Sequence, residues 1–310
     1  MAQAEADQVS VYIYEETSWG ALSTALAMSA VPITGHNLGM DKTTIVSDTI
    51  RSDRMVDTVV ATSTSASGSI DFDFQYEETF NKLLAAAVGG AWATNVLVQG
   101  TTKKSYSIEA KYPDIVQFSS IRGARVSEFN LNIPVGQKAT GSCRYLGKSK
   151  AAAGTSIAAS VAAYAANQVY SANADLGTLK EGGAALSTVI KSITLNIAAN
   201  TRLITGVTQA APFGINLGVL DITGSIEAYF EDLVLLNKFL NHTKSSLEFT
   251  LTTSGGGKSY LFLIPAIYYA GTGGNEVVTG KNTEVMLTLP FQAVKDSVTG
   301  NEISITRVPT

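Results

Sequence analysis

Side chains able to do bond chemistry are few in this 310-residue chain, and they are scattered. The two histidines, His36 and His242, lie far apart, and the single cysteine, Cys143, follows Gly141-Ser142 in a segment that reads as strand. An activated nucleophile needs a base within hydrogen-bond reach. No spacing here suggests such a pair, although triads are recognised by geometry rather than by order. Both histidines read as ordinary surface or turn residues and Cys143 as a core thiol. One cysteine also leaves no internal disulfide framework and no thiolate cluster for zinc. Gly255-Gly256-Gly257-Lys258-Ser259 is similar to the end of a phosphate-binding loop, but the full motif needs its first glycine where Thr252 stands. The run lies between two β-like segments, residues 247–251 and 260–264, so a hairpin turn accounts for it better. Asn241-His242-Thr243 is formally a glycosylation acceptor without a signal peptide to make it matter. The expectation is no catalytic residue, no cofactor and no metal.

Composition narrows the remaining classes. Hydrophobic residues make up 45% of the chain and charged residues only 15%, well below the usual quarter. A surface so poor in charge is lightly solvated or covered by partner chains. The net charge of −4 argues against gripping nucleic acid, which takes clustered Lys and Arg against phosphates. The first residues are acidic and polar, so no signal peptide is expected, and no apolar run approaches the ~20 residues that span a bilayer. With one cysteine, this fits assembly in a reducing cytoplasm.

The elements that must position these residues are short strands. Residues 69–75 alternate Ile70, Phe72 and Phe74 against Asp71, Asp73 and Gln75, and residues 128–133 alternate Phe129, Leu131 and Ile133 against Glu128, Asn130 and Asn132. Residues 190–198 do the same with Ile193, Leu195 and Ile197, and residues 9–14 are β-prone. A period of two marks strands with one buried face, as in a sandwich or barrel.

The chain also resembles itself. Gly68-Ser69-Ile70, Phe74, Asn81-Lys82 and Leu84 match Gly224-Ser225-Ile226, Phe230, Asn237-Lys238 and Leu240 without a gap. Lys104-Ser105-Tyr106 matches Lys258-Ser259-Tyr260, and residues 129–134 line up with residues 285–290. Each half predicts one helix after the matching strand. In the first, Phe80, Leu83, Leu84 and Ala87 form a stripe behind Glu77 and Glu78, with Gly89-Gly90 as the stop. In the second, Leu233, Leu236, Phe239 and Leu240 follow Glu231 and Asp232. Such a helix must lie against a sheet. The reading is mainly β: two tandem domains, residues 1–150 and 187–310, each a β-sandwich or part-barrel with one flanking α-helix. Between them, residues 151–186 are rich in Ala, Ser and Gly. They form either a plain linker or, given Ile157, Val161, Tyr164, Val169 and Tyr170, a segment docked on a neighbour.

Several runs resemble a widespread family of phage tail tube proteins, the major tail proteins of long-tailed bacteriophages. They are Ser47-Asp48-Thr49-Ile50-Arg51-Ser52-Asp53-Arg54, Ala66-Ser67-Gly68-Ser69-Ile70-Asp71-Phe72, Gly89-Gly90-Ala91-Trp92 and Ile121-Arg122-Gly123-Ala124-Arg125-Val126. Ile222-Thr223-Gly224-Ser225-Ile226-Glu227-Ala228-Tyr229-Phe230 and Leu287-Thr288-Leu289-Pro290-Phe291-Gln292-Ala293 complete the set. The resemblance implies a virion protein with no enzymatic role, assembled in the host cytoplasm into rings whose inner sheets join as one barrel, the rings stacking into a tube for genome delivery. A closed barrel removes sheet edges. Six tube domains per ring is usual, so a two-domain chain implies three chains per ring, with a homohexamer as the alternative. The implied partners are the chain itself, the tape measure, tail terminator and distal tail proteins, and double-stranded DNA in transit.

Two groups of charged residues gain a meaning in that setting. Asp71, Asp73, Glu227 and Glu231 oppose the apolar faces, and they belong either to an ordinary solvated face or to the lumen wall, where carboxylates would repel phosphate. Arg51, Asp53, Arg54 and Asp57 lie in a long segment between Asp41 and Ser67, read as a contact between subunits or rings or as an exposed loop. A carbohydrate-binding β-sandwich or another virion adaptor is the alternative function. Against the former, only Trp19 and Trp92 are available as large aromatic platforms.

Overall fold

The computed structural model describes residues 3–21, 23–173, 175–177, 179–253, 257–274, 276–277 and 280–309. The chain is mainly β. Its first part runs through β1 (Ser10–Glu15), β2 (Leu26–Val31), β3 (Gly35–Val46), β4 (Val59–Asp73), α1 (Glu78–Ala87), β5 (Val96–Val98), β6 (Tyr106–Tyr112), β7 (Gln117–Pro134), β8 (Thr140–Gly147) and β9 (Ser149–Ala153). One layer pairs β2, β1, β6, the start of β7 and β9. The other pairs β3, β4, β8 and the end of β7. β7 therefore passes from one layer to the other, and the two inner faces, Val11, Ile13 and Ile108 against Ile70, Phe72 and Phe129, share one buried core.

The predicted helix α1 forms over its apolar stripe. Phe80, Leu83, Leu84 and Ala87 are all buried, and the Phe80 ring stacks on Phe72 with centroids 4.3 Å apart. Glu77 caps the start, its carboxylate accepting from the Glu78 N–H. Gly89, at φ +63°, ends the helix: its N–H donates to the Ala86 carbonyl and that of Gly90 to Ala85. These are the paired bonds of a Schellman stop, which favours glycine for its left-handed φ.

Residues 151–186 are docked rather than a plain linker. β10 (Ala158–Ala162) runs parallel to β2, and the buried Glu109 carboxylate accepts from Ser156 Oγ at 2.6 Å and the Ile157 N–H at 2.7 Å. Ile157 and Tyr170 are buried, whereas Val161 and Tyr164 stay exposed. β11 (Lys180–Glu181) pairs with β12 (Ala184–Ala185) and with a strand of the second half.

That second half comprises β13 (Ile190–Ala198), β14 (Arg202–Gly206), β15 (Gln209–Asn216), β16 (Asp221–Tyr229), α2 (Val234–Leu240), β17 (Ser245–Thr252), β18 (Ser259–Tyr269), β19 (Glu276–Val277), β20 (Met286–Ala293) and β21 (Ser304–Val308). Its pairings repeat those of the first half in order. β4 lies between β3 and β8, and β16 lies between β13 and β20. β7 meets β6 and β9 at its start and β8 at its end; β18 meets β17 and β21 at its start and β20 at its end. The Gly-Ser-Ile match falls on strands with the same neighbours, and for one physical reason. A Cβ on Gly68 would meet the Asn37 carbonyl and the Tyr145 hydroxyl, and one on Gly224 the Thr194 carbonyl and the Phe291 ring. In both, an aromatic residue of the next strand crosses over the glycine.

The other two sequence matches fall on strands with different neighbours. Tyr106 opens β6 but Tyr260 is the second residue of β18, and residues 129–134 end β7 whereas residues 286–290 lie in β20. By neighbours, β6 corresponds to β17, β7 to β18 and β8 to β20. Short alternating strands look alike in sequence, so pairing separates them where letters do not. The helix stripe of the second half also shifts. α2 buries Leu235 and Leu236, while its last residue Leu240 and the preceding Leu233 are exposed; the helix spans only seven residues.

The halves share their core. Phase and register are fixed between them by the pairing of β7 residues 128–134 with β13 and of β5 with β21. Phe74 lies 5.3 Å from the Tyr260 ring and 5.8 Å from Tyr170, and Tyr260 Oη donates to Asn81 Oδ1 at 2.7 Å.

Candidate assembly surfaces

Strands β3, β4, β8, β7, β13, β16 and β20 hydrogen-bond in that order, so one sheet runs through both halves. Its core face carries Ile70, Phe72, Phe129, Leu131, Leu195, Ile197, Ile226 and Leu289, all buried. Side chains alternate across a strand, so the residues between these form the other face. The register sets them in rows. One row is Asp71, Ser142, Asn130, Asn196, Thr223 and Gln292; the next is Asp73, Thr140, Asn132, Thr194, Ser225 and Pro290. A depression of about 440 Å³ lies among Asp71, Asn130, Asn132, Ser142, Thr194 and Asn196. Between Asp71 and Asp73 at one side and Gln292 and Pro290 at the other, these rows are short, uncharged hydrogen-bonding groups.

Carboxylates on this face are mostly matched by cations. Asp73 lies 2.7 Å from Lys138 Nζ, Glu227 lies 3.3 Å from Lys191 Nζ, and Glu128 lies 3.4 Å from Arg144. Asp71 is exposed and has no ion-pair partner among the described residues. Glu231 does not belong here. β16 ends at Tyr229, and Glu231 sits in the following loop, accepting from the Val189 N–H at 3.2 Å. Strand alternation stops before it, so Glu231 does not share a strand face with Glu227. Asn130, Asn132, Thr194 and Asn196 alternate with apolar residues along residues 128–133 and 190–198, and only cross-strand register joins them into rows.

The segment between Asp41 and Ser67 is mostly strand rather than loop. β3 and β4 form a long hairpin paired out to Val46 and Val59, and only residues 47–58 turn. Arg51 joins Asp53 at 2.8 Å and Asp57 at 2.6 Å. Arg54 stands outside that network with φ +59°. These hydrogen bonds hold Arg51 above and Asp53 below their ordinary pKa values. Ile45, Val46, Ile50, Met55, Val56, Val59 and Val60 are exposed along the same projection, an apolar run that a solvated loop would not need. The second half's counterpart, β14 with β15, carries exposed Ile204, Val207 and Phe213 and the lone charge of Arg202.

The remaining candidates do not assemble into a reactive site. His36 lies on β3 near Tyr112, with burial and then Lys150 lowering its pKa; His242 follows α2 and stacks on Tyr268. Cys143 is buried on β8, and burial pushes its thiol up. Gly255 and Gly256 lie outside the described residues; β17 and β18, on either side, are antiparallel. Trp19 and Trp92 are half-buried, their indole N–H groups donating to Gly123 and Asn81 carbonyls. Among the described residues no group of acids, histidines or cysteine has metal-binding geometry, and no helix is long and apolar enough to cross a membrane.

No curated protein matches the chain. A family model described as phage tail tube protein matches residues 6–293. With nearly the whole length matched, the chain belongs to the phage tail tube protein family and is a structural subunit of a bacteriophage tail tube.

Proposed function

We propose that this subunit forms rings from three chains, each chain supplying two quasi-equivalent tube domains, and that the rings stack into the channel for the genome. The observation that carries the reading is the single sheet running through both halves with one polar and one buried face. The repeated pairing order supports two tandem domains, residues 1–150 and 187–310, with residues 151–186 bracing them. In this reading the polar face lines the lumen, with Asp71, Asp73 and Glu227 among its groups. Repulsion by bare carboxylate is a minor part of its action, since Asp73 and Glu227 are matched by lysines. Asn, Ser and Thr hydrate well and offer phosphate no fixed cation, so no array of counterions is released to hold the DNA. The hairpin carrying Arg51, Asp53, Arg54 and Asp57 makes contacts between chains or rings. Tape measure, tail terminator and distal tail proteins meet the lumen and the tube ends, and the subunit performs no bond chemistry.

Electron microscopy with mass measurement of isolated rings tests this. Stacked rings of three chains are expected. Rings of six chains would refute the trimer while leaving the tube, and compact monomers at all concentrations would refute the assembly.

A further inference from the structure

Lys258, the lysine that follows the glycine run between β17 and β18, has a use beyond the turn. Its Nζ donates to the Asn167 carboxamide oxygen at 3.0 Å and sits 5.4 Å from the centre of the Tyr76 ring. Asn167 belongs to the connecting segment and is also held through its nitrogen, Nδ2–H donating to the Tyr76 carbonyl. That segment is fastened to the first half on both sides of Asn167. Ala165 N–H donates to Glu77 Oε2 at 3.1 Å, and Tyr170 N–H donates to the Phe74 carbonyl at 2.9 Å. An amine of the second half is thus pressed against a carboxamide anchored on the first.

The surroundings are aromatic and contain an acid. Tyr76, Tyr170 and Tyr260 are buried. Tyr76 and Tyr260 stack with centroids 5.2 Å apart, and Tyr170 Oη donates to the Lys258 carbonyl at 3.0 Å. Glu77 is buried beside them. Burial holds its carboxyl above the ordinary pKa, against the smaller pull of two backbone hydrogen bonds and the Lys258 ammonium. A carboxyl raised in this way is better able to take up a proton and return it. By contrast, Lys103 Nζ meets Asn216 Oδ1 at 2.9 Å in an exposed position, where the ammonium keeps its hydration.

We propose that Lys258 and Asn167 join in an intramolecular isopeptide bond, with Glu77 carrying the proton. Lys258 gives one proton to the Glu77 carboxylate, directly or through one water, and the free amine adds to Asn167 Cγ. The Nζ–Cγ bond forms and the Cγ–Nδ2 bond breaks. Nδ2 leaves as ammonia with a proton from Nζ, collects the proton stored on Glu77, and departs as ammonium. Glu77 ends as it began, and no oxidant or further reactant enters. Lysine amines act as nucleophiles when desolvated among apolar groups. Holding amine and amide together reaches effective molarities of about 10⁵ M or more. The chain reacts once, on itself, without substrate or turnover. The product ties the second half to the segment bonded along Phe74–Glu77, so the halves cannot shear apart as the tube bends, and it constrains the unfolded chain as any cross-link does.

Intact mass and peptide mapping of the unaltered protein, as free subunit and in assembled tubes, test this. The expected result is a mass lower by one ammonia, a branched peptide joining the Asn167 and Lys258 fragments, and no tryptic cleavage after Lys258. Lys103 and Asn216 should stay unlinked. Lys258→Arg and Asn167→Ala should each restore the full mass, and Glu77→Gln should form the bond about 100-fold more slowly. Full mass with free cleavage after Lys258, in the folded subunit and in tubes alike, overturns the bond; this measurement needs no variant to fold. A parent rate in Glu77→Gln overturns the part given to Glu77.

Discussion

Replacing Phe74 with alanine tests whether the two halves unfold as one body. Phe74 is fully buried, and its ring lies 6.0 Å from Phe80, 6.4 Å from Phe129, 5.8 Å from Tyr170, 5.3 Å from Tyr260 and 6.4 Å from Phe262. Those rings belong to the first half, the connecting segment and the second half. Truncating a core phenylalanine costs about 3–5 kcal/mol, the upper end applying where the site cannot collapse. Here the walls are large aromatics on α1, β7, β18 and the connecting segment, so about 4 kcal/mol is expected. At roughly 2 °C per kcal/mol for a chain of this size, Tm should fall by about 8 °C. Scanning calorimetry of the unassembled subunit is the assay. One transition is expected in the parent and one, lower, in Phe74→Ala, with Phe74→Leu between them. Two transitions in the parent, with Phe74→Ala moving only one, would refute the shared core and leave the halves as independent domains.

Four further outcomes follow from the same structure. Gly224→Ala places a Cβ about 2.2 Å from the Thr194 carbonyl and should lower thermal stability by roughly 1–3 kcal/mol or more, whereas Gly154→Ala, with open space around it, should leave Tm unchanged. Alanine at Arg51, Asp53 and Arg54 together should slow tube formation while circular dichroism stays that of the folded subunit; normal assembly at matched concentration and salt would remove the hairpin tip from the contacts. Lysine at Asp71, Asn130 and Asn196 should leave tubes intact but slow genome ejection, most at low salt, and ejection at the parent rate would argue against a lumenal face. His36 has a folded pKa below its ordinary 6.5, from burial and then Lys150. The unfolded chain therefore binds the proton first, and stability declines as pH falls below about 6.5. Tm measured across that range should flatten in His36→Gln, and an unchanged slope would assign the acid sensitivity elsewhere.

Much of this was legible in the residues alone. Alternation at residues 69–74, 128–133 and 190–198 determined which side chains are buried, because a strand has no other way to sort apolar from polar groups; Gln75, past the end of β4, is buried against that pattern. The α1 stripe with its Glu77 start and Gly89-Gly90 stop determined a helix, since capping and the left-handed stop are local. Gly68 and Gly224 marked equivalent strands, because each lies under a neighbouring aromatic where no Cβ fits. Other features depended on pairing between distant segments. The Lys-Ser-Tyr and residue 129–134 matches joined strands that only resemble one another, since β identity is set by neighbours along the hydrogen-bond direction. Glu231 followed the alternation in sequence but fell beyond the end of β16. The hairpin of β3 with β4 hid inside what read as a loop, its polar letters giving little β signal until twelve residues of cross-strand register supplied it. The junction of β7 with β13, which turns two polar faces into one wall, could only come from the tertiary structure, because no local rule tells a strand which distant edge it will meet.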